Sequence, residues 1–200
     1  MQQHSKPRKS GADMSERNTV LRSLHDAGLA TWFGGSLMGA VGLNGAAAKV
    51  QNPRERMKVA SIGWDRWTPV NAAAIGSHLA GAAGLLITNA DRVGSQRGVA
   101  TMSAVKTGLT LAALGATAYS RVLGRKIEQA AEVPVTGVTE PAPETPPDIS
   151  SAQRKLRVAQ WSIPALTGAL VAVSALAGEQ QRSNGGKRDL WHRAAQALAH

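Results

Sequence analysis

Between Ala27 and Ala48 the chain reads AGLATWFGGSLMGAVGLNGAAA, 22 residues without a charge. At about 1.5 Å per residue a helix of this length crosses the roughly 30 Å hydrocarbon core of a bilayer. The run predicts a transmembrane helix; it is longer than the apolar region of a signal peptide. Gly28, Gly35 and Gly42 recur every seven residues, and Gly39 completes a GxxxG with Gly35. At 3.6 residues per turn the four share a face. Lipid is as apolar as leucine, so helices associate in it through close backbone approach, which small residues permit. This face is expected to pack on another helix of the chain, or on a second copy.

Three more blocks of the same kind follow. Thr68 to Ala90 holds 23 uncharged residues and a ladder of Gly76, Ala80 and Gly84. Val99 to Ser120 is interrupted only by Lys106 and carries Gly108, Ala112 and Gly115. Val158 to Gly178 has Gly168 on its small face, Pro164 in its first turns and Trp161 near its start. The fold class expected is all-α, an integral membrane four-helix bundle. The short connection from Asp91 to Gly98 makes the second and third spans antiparallel neighbours.

The segments between and around the spans are polar. Residues 1–19 read as a disordered basic tail, with Met14 as a second possible start. Residues 20–126 form a three-helix membrane region. In its first loop Asn52-Pro53 opens a short surface helix, ahead of a fresh start at Thr68-Pro69. Trp64 and Trp67 there, like Trp161, are expected at headgroup depth. Residues 127–150 contain five prolines and five acids and read as a disordered acidic linker, with Asp148 capping the next helix. Residues 151–180 carry the fourth span. In the basic tail, 181–200, Ser183-Asn184-Gly185-Gly186 marks a break before a short amphipathic helix.

Aromatic residues make up only 4% of the chain, with one Phe and one Tyr. A water-soluble core of Ala and Gly would bury little apolar area per side chain, so a soluble four-helix bundle is the weaker reading. The net charge of +10 flanks the apolar blocks and forms no nucleic-acid-binding module, so anionic lipid headgroups are its expected partner. Orientation stays open: 11 Lys and Arg fall on one side of the membrane and 12 on the other. The absence of Cys excludes disulfides and thiol chemistry.

Ionisable or polar groups at membrane depth are the candidate site. His78 lies mid-span with Asn71 two turns before it on the same face. Its role is either a hydrogen bond to another helix or proton and quinone chemistry. Lys106 either snorkels to the interface or pairs inside the bundle. His25 and Asp26 sit where the first span begins, and Asn44 near its end. No HExxH, GxSxG, Walker or dinucleotide motif occurs, and no cofactor or metal site is expected.

The segment LHDAGLATWFGGSLMGAVGLN, with GWDRWTPVN and ATAYSRVLG after it, resembles small four-helix membrane proteins of unassigned function from actinobacteria. The resemblance covers residues 20–126 and implies a fold and a membrane location, with no site residues. The function expected is that of a multi-pass cell-membrane protein, not an enzyme. It packs with or organises other membrane proteins, or itself. The alternatives are a redox or proton-handling accessory using His78 and Lys106, and a small transporter or pore.

Overall fold

Glycine-permitted contact between helices organises the structure. The computed structural model describes residues 11–90, 94, 97–130 and 132–197, and side chains from 18 to 178 within these, apart from that of residue 97. Helix α1, Gly11–Met38, continues through a π-turn, Gly39–Leu43, into the short α2, Asn44–Ala48. Then come α3, Arg56–Thr88, α4, Arg97–Glu128, a hairpin of β1, Val135–Gly137, and β2, Glu140–Pro141, and finally α5, Pro147–Ala197. Helices α3, α4 from Gly98 and α5 to Gly178 are long and apolar enough to cross a membrane. Helix α1 is not among them: its polar first turns and many glycines dilute the apolar run that begins at Ala27.

Several boundaries differ from expectation. The helix begins at Gly11, inside the stretch read as a tail, while residues 1–10 lie outside the described residues. Arg56 to Thr88 is one helix with Pro69 inside it, so Thr68-Pro69 is not a second start. Pro69 leaves one carbonyl of the previous turn without its N–H, and Pro69 itself is exposed. The Thr68 hydroxyl donates to the Trp64 carbonyl in the same turn, at 2.8 Å. Asn52 does not cap a helix: α3 begins at Arg56 with Glu55 before it, and the Asn52 Oδ1 instead accepts from the Arg54 N–H at 3.1 Å within the preceding turn. Helix α5 starts at Pro147, with Asp148 in its first turn, and runs through residues 183–186. Two glycines lower helix propensity there without forbidding a helix. The side chains read as an amphipathic tail helix lie outside the described ones.

The largest departure is in the segment 127–150, read as disordered. Helix α4 continues to Glu128, and the prolines and acids after it fold into the β1–β2 hairpin. Val135 and Val138 are buried, in clusters with Met57, Leu156 and Ala60. Arg56 donates to the carbonyls of Val50, Val135 and Thr136 at 2.9, 3.0 and 2.9 Å. Gln153 Nε2 donates to Gly137 and Val138, both at 3.0 Å. Arg157 reaches Thr139 O and Glu140, each at 2.9 Å. The segment is held by long side chains from α3 and α5, where it has few aliphatic groups of its own.

Packing is in two pairs, α1 on α3 and α4 on α5, joined chiefly where α1 crosses α5. The α3–α4 contact is slight, although these helices follow one another in the chain. The glycines show why α3 lies against α1. A Cβ on Gly28 would come within 2.5 Å of Ala74 O and 2.6 Å of His78 N. One on Gly81 would come within 2.5 Å of Leu21 O. Gly35 and Gly39 receive the rings of Trp67 and Trp64, and Gly84 the Leu21 side chain. Trp64 and Trp67 are therefore turned toward α1 and half-buried. Gly168 lies against Phe33, whereas Gly42 meets only Met38 of its own helix. Gly76, Gly108 and Gly115 have no such neighbour within 4 Å, and Ala80 is exposed.

Candidate functional site

Because α3 and α4 part, two cavities open between them, one toward each end of the bundle. An apolar layer of Trp32, Ala74, Ala113 and Ile163, with Ile75 and Leu114 against it, lies between the two. Trp32 is fully buried, and its indole N–H donates to Thr117 Oγ1 at 3.3 Å.

The cavity nearer the hairpin measures about 240 Å³ and is lined by Trp32, Trp64, Trp67, Asn71, Ser120 and Gln160 among others. At its edge a buried relay joins three elements. Trp64 Nε1 donates to Asn44 Oδ1 at 3.0 Å, and Asn44 Nδ2 donates to Gln160 Oε1 at 2.7 Å. The π-turn just before Asn44 adds a residue and rephases the helix by about 100°, and Asn44 is buried immediately after it. Asn71 Oδ1 and Ser120 Oγ are buried without a hydrogen-bond partner. An unpaired buried acceptor costs about 1–3 kcal/mol. Asn71→Leu, which removes that acceptor and fills space, is therefore expected to raise the thermal unfolding midpoint in detergent by a few degrees. An unchanged or lower midpoint means that Asn71 has a partner in solution.

The second cavity, about 460 Å³, lies at the end where α1 begins and α3 ends. It gathers Arg22, His25, Asp26, His78, Thr110 and Lys106. His78, 1% exposed, stands at the α1–α3 contact. Its Nδ1 lies 3.2 Å from the His25 carbonyl, to which it can only donate, and its Nε2 lies 3.4 Å from Thr110 Oγ1. With the Nδ1 proton committed, a neutral ring accepts from the Thr110 hydroxyl, and both nitrogens are satisfied. The His25 ring lies 4.4 Å away, its own Nδ1 2.7 Å from Asp26 Oδ1. Lys106 is half-buried, within electrostatic reach of Asp26 and Arg22.

His78 and Lys106 thus share a cavity, while Asn71 lies across the Trp32 layer in the other one. Helical periodicity placed Asn71 and His78 on one face correctly, but their separation of two turns puts the apolar layer between them. Sequence reading missed Gly81 and Gly63, the latter against Leu43. His25 and Asp26, which the sequence places where the first span begins, line this second cavity, and His25 is buried. Among the described residues no group of three His, Asp or Glu gathers to hold a metal. Comparison with protein-family models, curated proteins and solved structures gave no match.

Proposed function

We propose that this chain is a multi-pass protein of the cell membrane, its first helix spanning beside the other three, and that it acts by association instead of catalysis. The observation that carries this reading is the outer face of α4. Ala104, Val105, Gly108, Leu111, Ala112, Gly115, Ala118, Tyr119 and Val122 repeat at three and four residues, and all are exposed. Val122 is 65% exposed and Leu111 62%. A helix that faced only lipid would have no use for glycine and alanine at the centre of that face. Small residues let another backbone approach. The partner is a helix of another membrane protein or of a second copy.

The absence of Cys supplies the test. Gly108→Cys and Gly115→Cys, each the sole thiol, are expected to cross-link within intact membranes, to a copy of the chain or to one stoichiometric neighbour. Val171→Cys, exposed on α5, is expected to cross-link far less. Equal cross-linking at the three positions, or none, removes the reading. A second reading, proton or redox handling, is favoured by the cavity that His78 and Lys106 share. It requires His78→Ala to alter proton flux or quinone binding by proteoliposomes.

A further inference from the structure

We infer that the cavity between α3 and α4 at the Lys106 end binds one anionic phospholipid. Its phosphate sits between Arg22 and Lys106, and an acyl chain lies in the parting of the two helices. The inference rests on the membrane-spanning reading above, and three observations carry it.

The first is charge. Among the described residues Arg22 and Lys106 bring two cations to the cavity, against one carboxylate, Asp26, which is already engaged with His25 Nδ1 at 2.7 Å. Two cations against one carboxylate leave this described lining with an excess positive charge. A half-buried lysine in an apolar span is stabilised by an anion that can reach it. The second is the direction of the opening. Leu79, Leu86 and Leu111 line the cavity and are also 38%, 50% and 62% exposed. They belong to α3 and α4, so the rim between the helices is aliphatic. A soluble anion gains nothing from such a rim, whereas an acyl chain continues through it into the bilayer. The third is an unmet polar group. Ser174 Oγ on α5 lines the same cavity and is buried without a partner. A phosphate oxygen would accept from it.

The test is native mass spectrometry of the full chain in gentle detergent with added phosphatidylglycerol or phosphatidylcholine. The unmodified protein is expected to retain one phosphatidylglycerol in preference to phosphatidylcholine. Arg22→Gln and Lys106→Gln should each weaken that preference about five-fold. Lys106→Arg should restore it, and Arg66→Gln, an exposed position toward the other end of α3, should leave it unchanged. Equal retention of the two lipids overturns the inference, as does a preference that survives the Arg22→Gln/Lys106→Gln double variant. Displacement of the lipid by inorganic phosphate alone would assign the cavity to a soluble anion, and retention of oleate but not phosphatidylglycerol would assign it to a free carboxylate. Release of the chain from membranes by alkaline carbonate would instead sink the spanning reading itself, an outcome separate from all of these.

Discussion

Gly28→Ala should destabilise this protein more than alanine at any of its outward-facing glycines. The added Cβ meets Ala74 O at 2.5 Å and His78 N at 2.6 Å. Both are backbone atoms inside a helix and cannot swing aside, so α1 and α3 must separate along their contact. Overpacking of this kind costs about 1–3 kcal/mol. It also stretches the His78–His25 carbonyl bond at the same crossing. For a chain of this size that lowers the unfolding midpoint by about 2–12 °C. Gly81 makes the reciprocal approach to Leu21 and His25, so Gly28→Val/Gly81→Val should prevent the α1–α3 pair from forming. Gly76→Ala has open space at the new methyl and gains helix propensity, up to about 1 kcal/mol. Tryptophan emission during thermal unfolding in detergent reports the result, because Trp32, Trp64 and Trp67 lie within or beside the affected contact. A Gly28→Ala protein that melts with the unmodified one would show that α1 and α3 do not approach so closely.

Part of this geometry was legible in the sequence. Gly28, Gly35 and Gly39 were placed on a packing face, and each does receive another helix. The corresponding face of α3 was misjudged because nearly every residue there is small, so hydropathy does not fix its phase. Gly76 and Ala80 each stand about 200° around the helix from His78. The small ladder through Gly76 and Ala80 and an inward His78 could not both face α1. The histidine, whose ring nitrogens need partners, was the better guide, and its face runs Ala74, His78, Gly81. Chain order misled in a similar way. A short connection suggested that α3 packs on α4, yet the close approach to α1 turns α3 away and leaves the cavities open. Lys106 and His78 could be recognised as candidates from depth alone. That they share a cavity with Arg22 and Asp26 depends on where α1 crosses, which no local pattern encodes.

Removing the side chains that hold the hairpin should make it the most protease-sensitive part of the protein. Composition read residues 127–150 as disordered, and composition alone gives no reason for them to fold. Their order comes from distant donors that satisfy carbonyls: Arg56 at Val135 and Thr136, and Gln153 at Gly137 and Val138. Gln153 is fully buried, and its Oε1 has no partner, so its contribution lies in the two N–H donations. Losing Gln153 leaves the buried Gly137 and Val138 carbonyls unmet, at about 1–3 kcal/mol each. An Arg56→Ala/Gln153→Ala double variant should therefore open the hairpin while the long helices, which depend on other contacts, remain paired. Cleavage of a transiently opened segment follows the population of the open form. A glutamate-specific protease should then cut at Glu144 at least about thirty-fold faster in the double variant, since about 2 kcal/mol is a factor of thirty. Far-ultraviolet circular dichroism should stay near that of the unmodified protein. If the unmodified chain is already cut as fast as an unstructured peptide, the compositional reading of the segment was right and these carbonyl contacts do not hold in solution. If the double variant stays resistant, the buried Val135 and Val138, clustered with Met57 and Ala60, are sufficient to hold the hairpin without the donors.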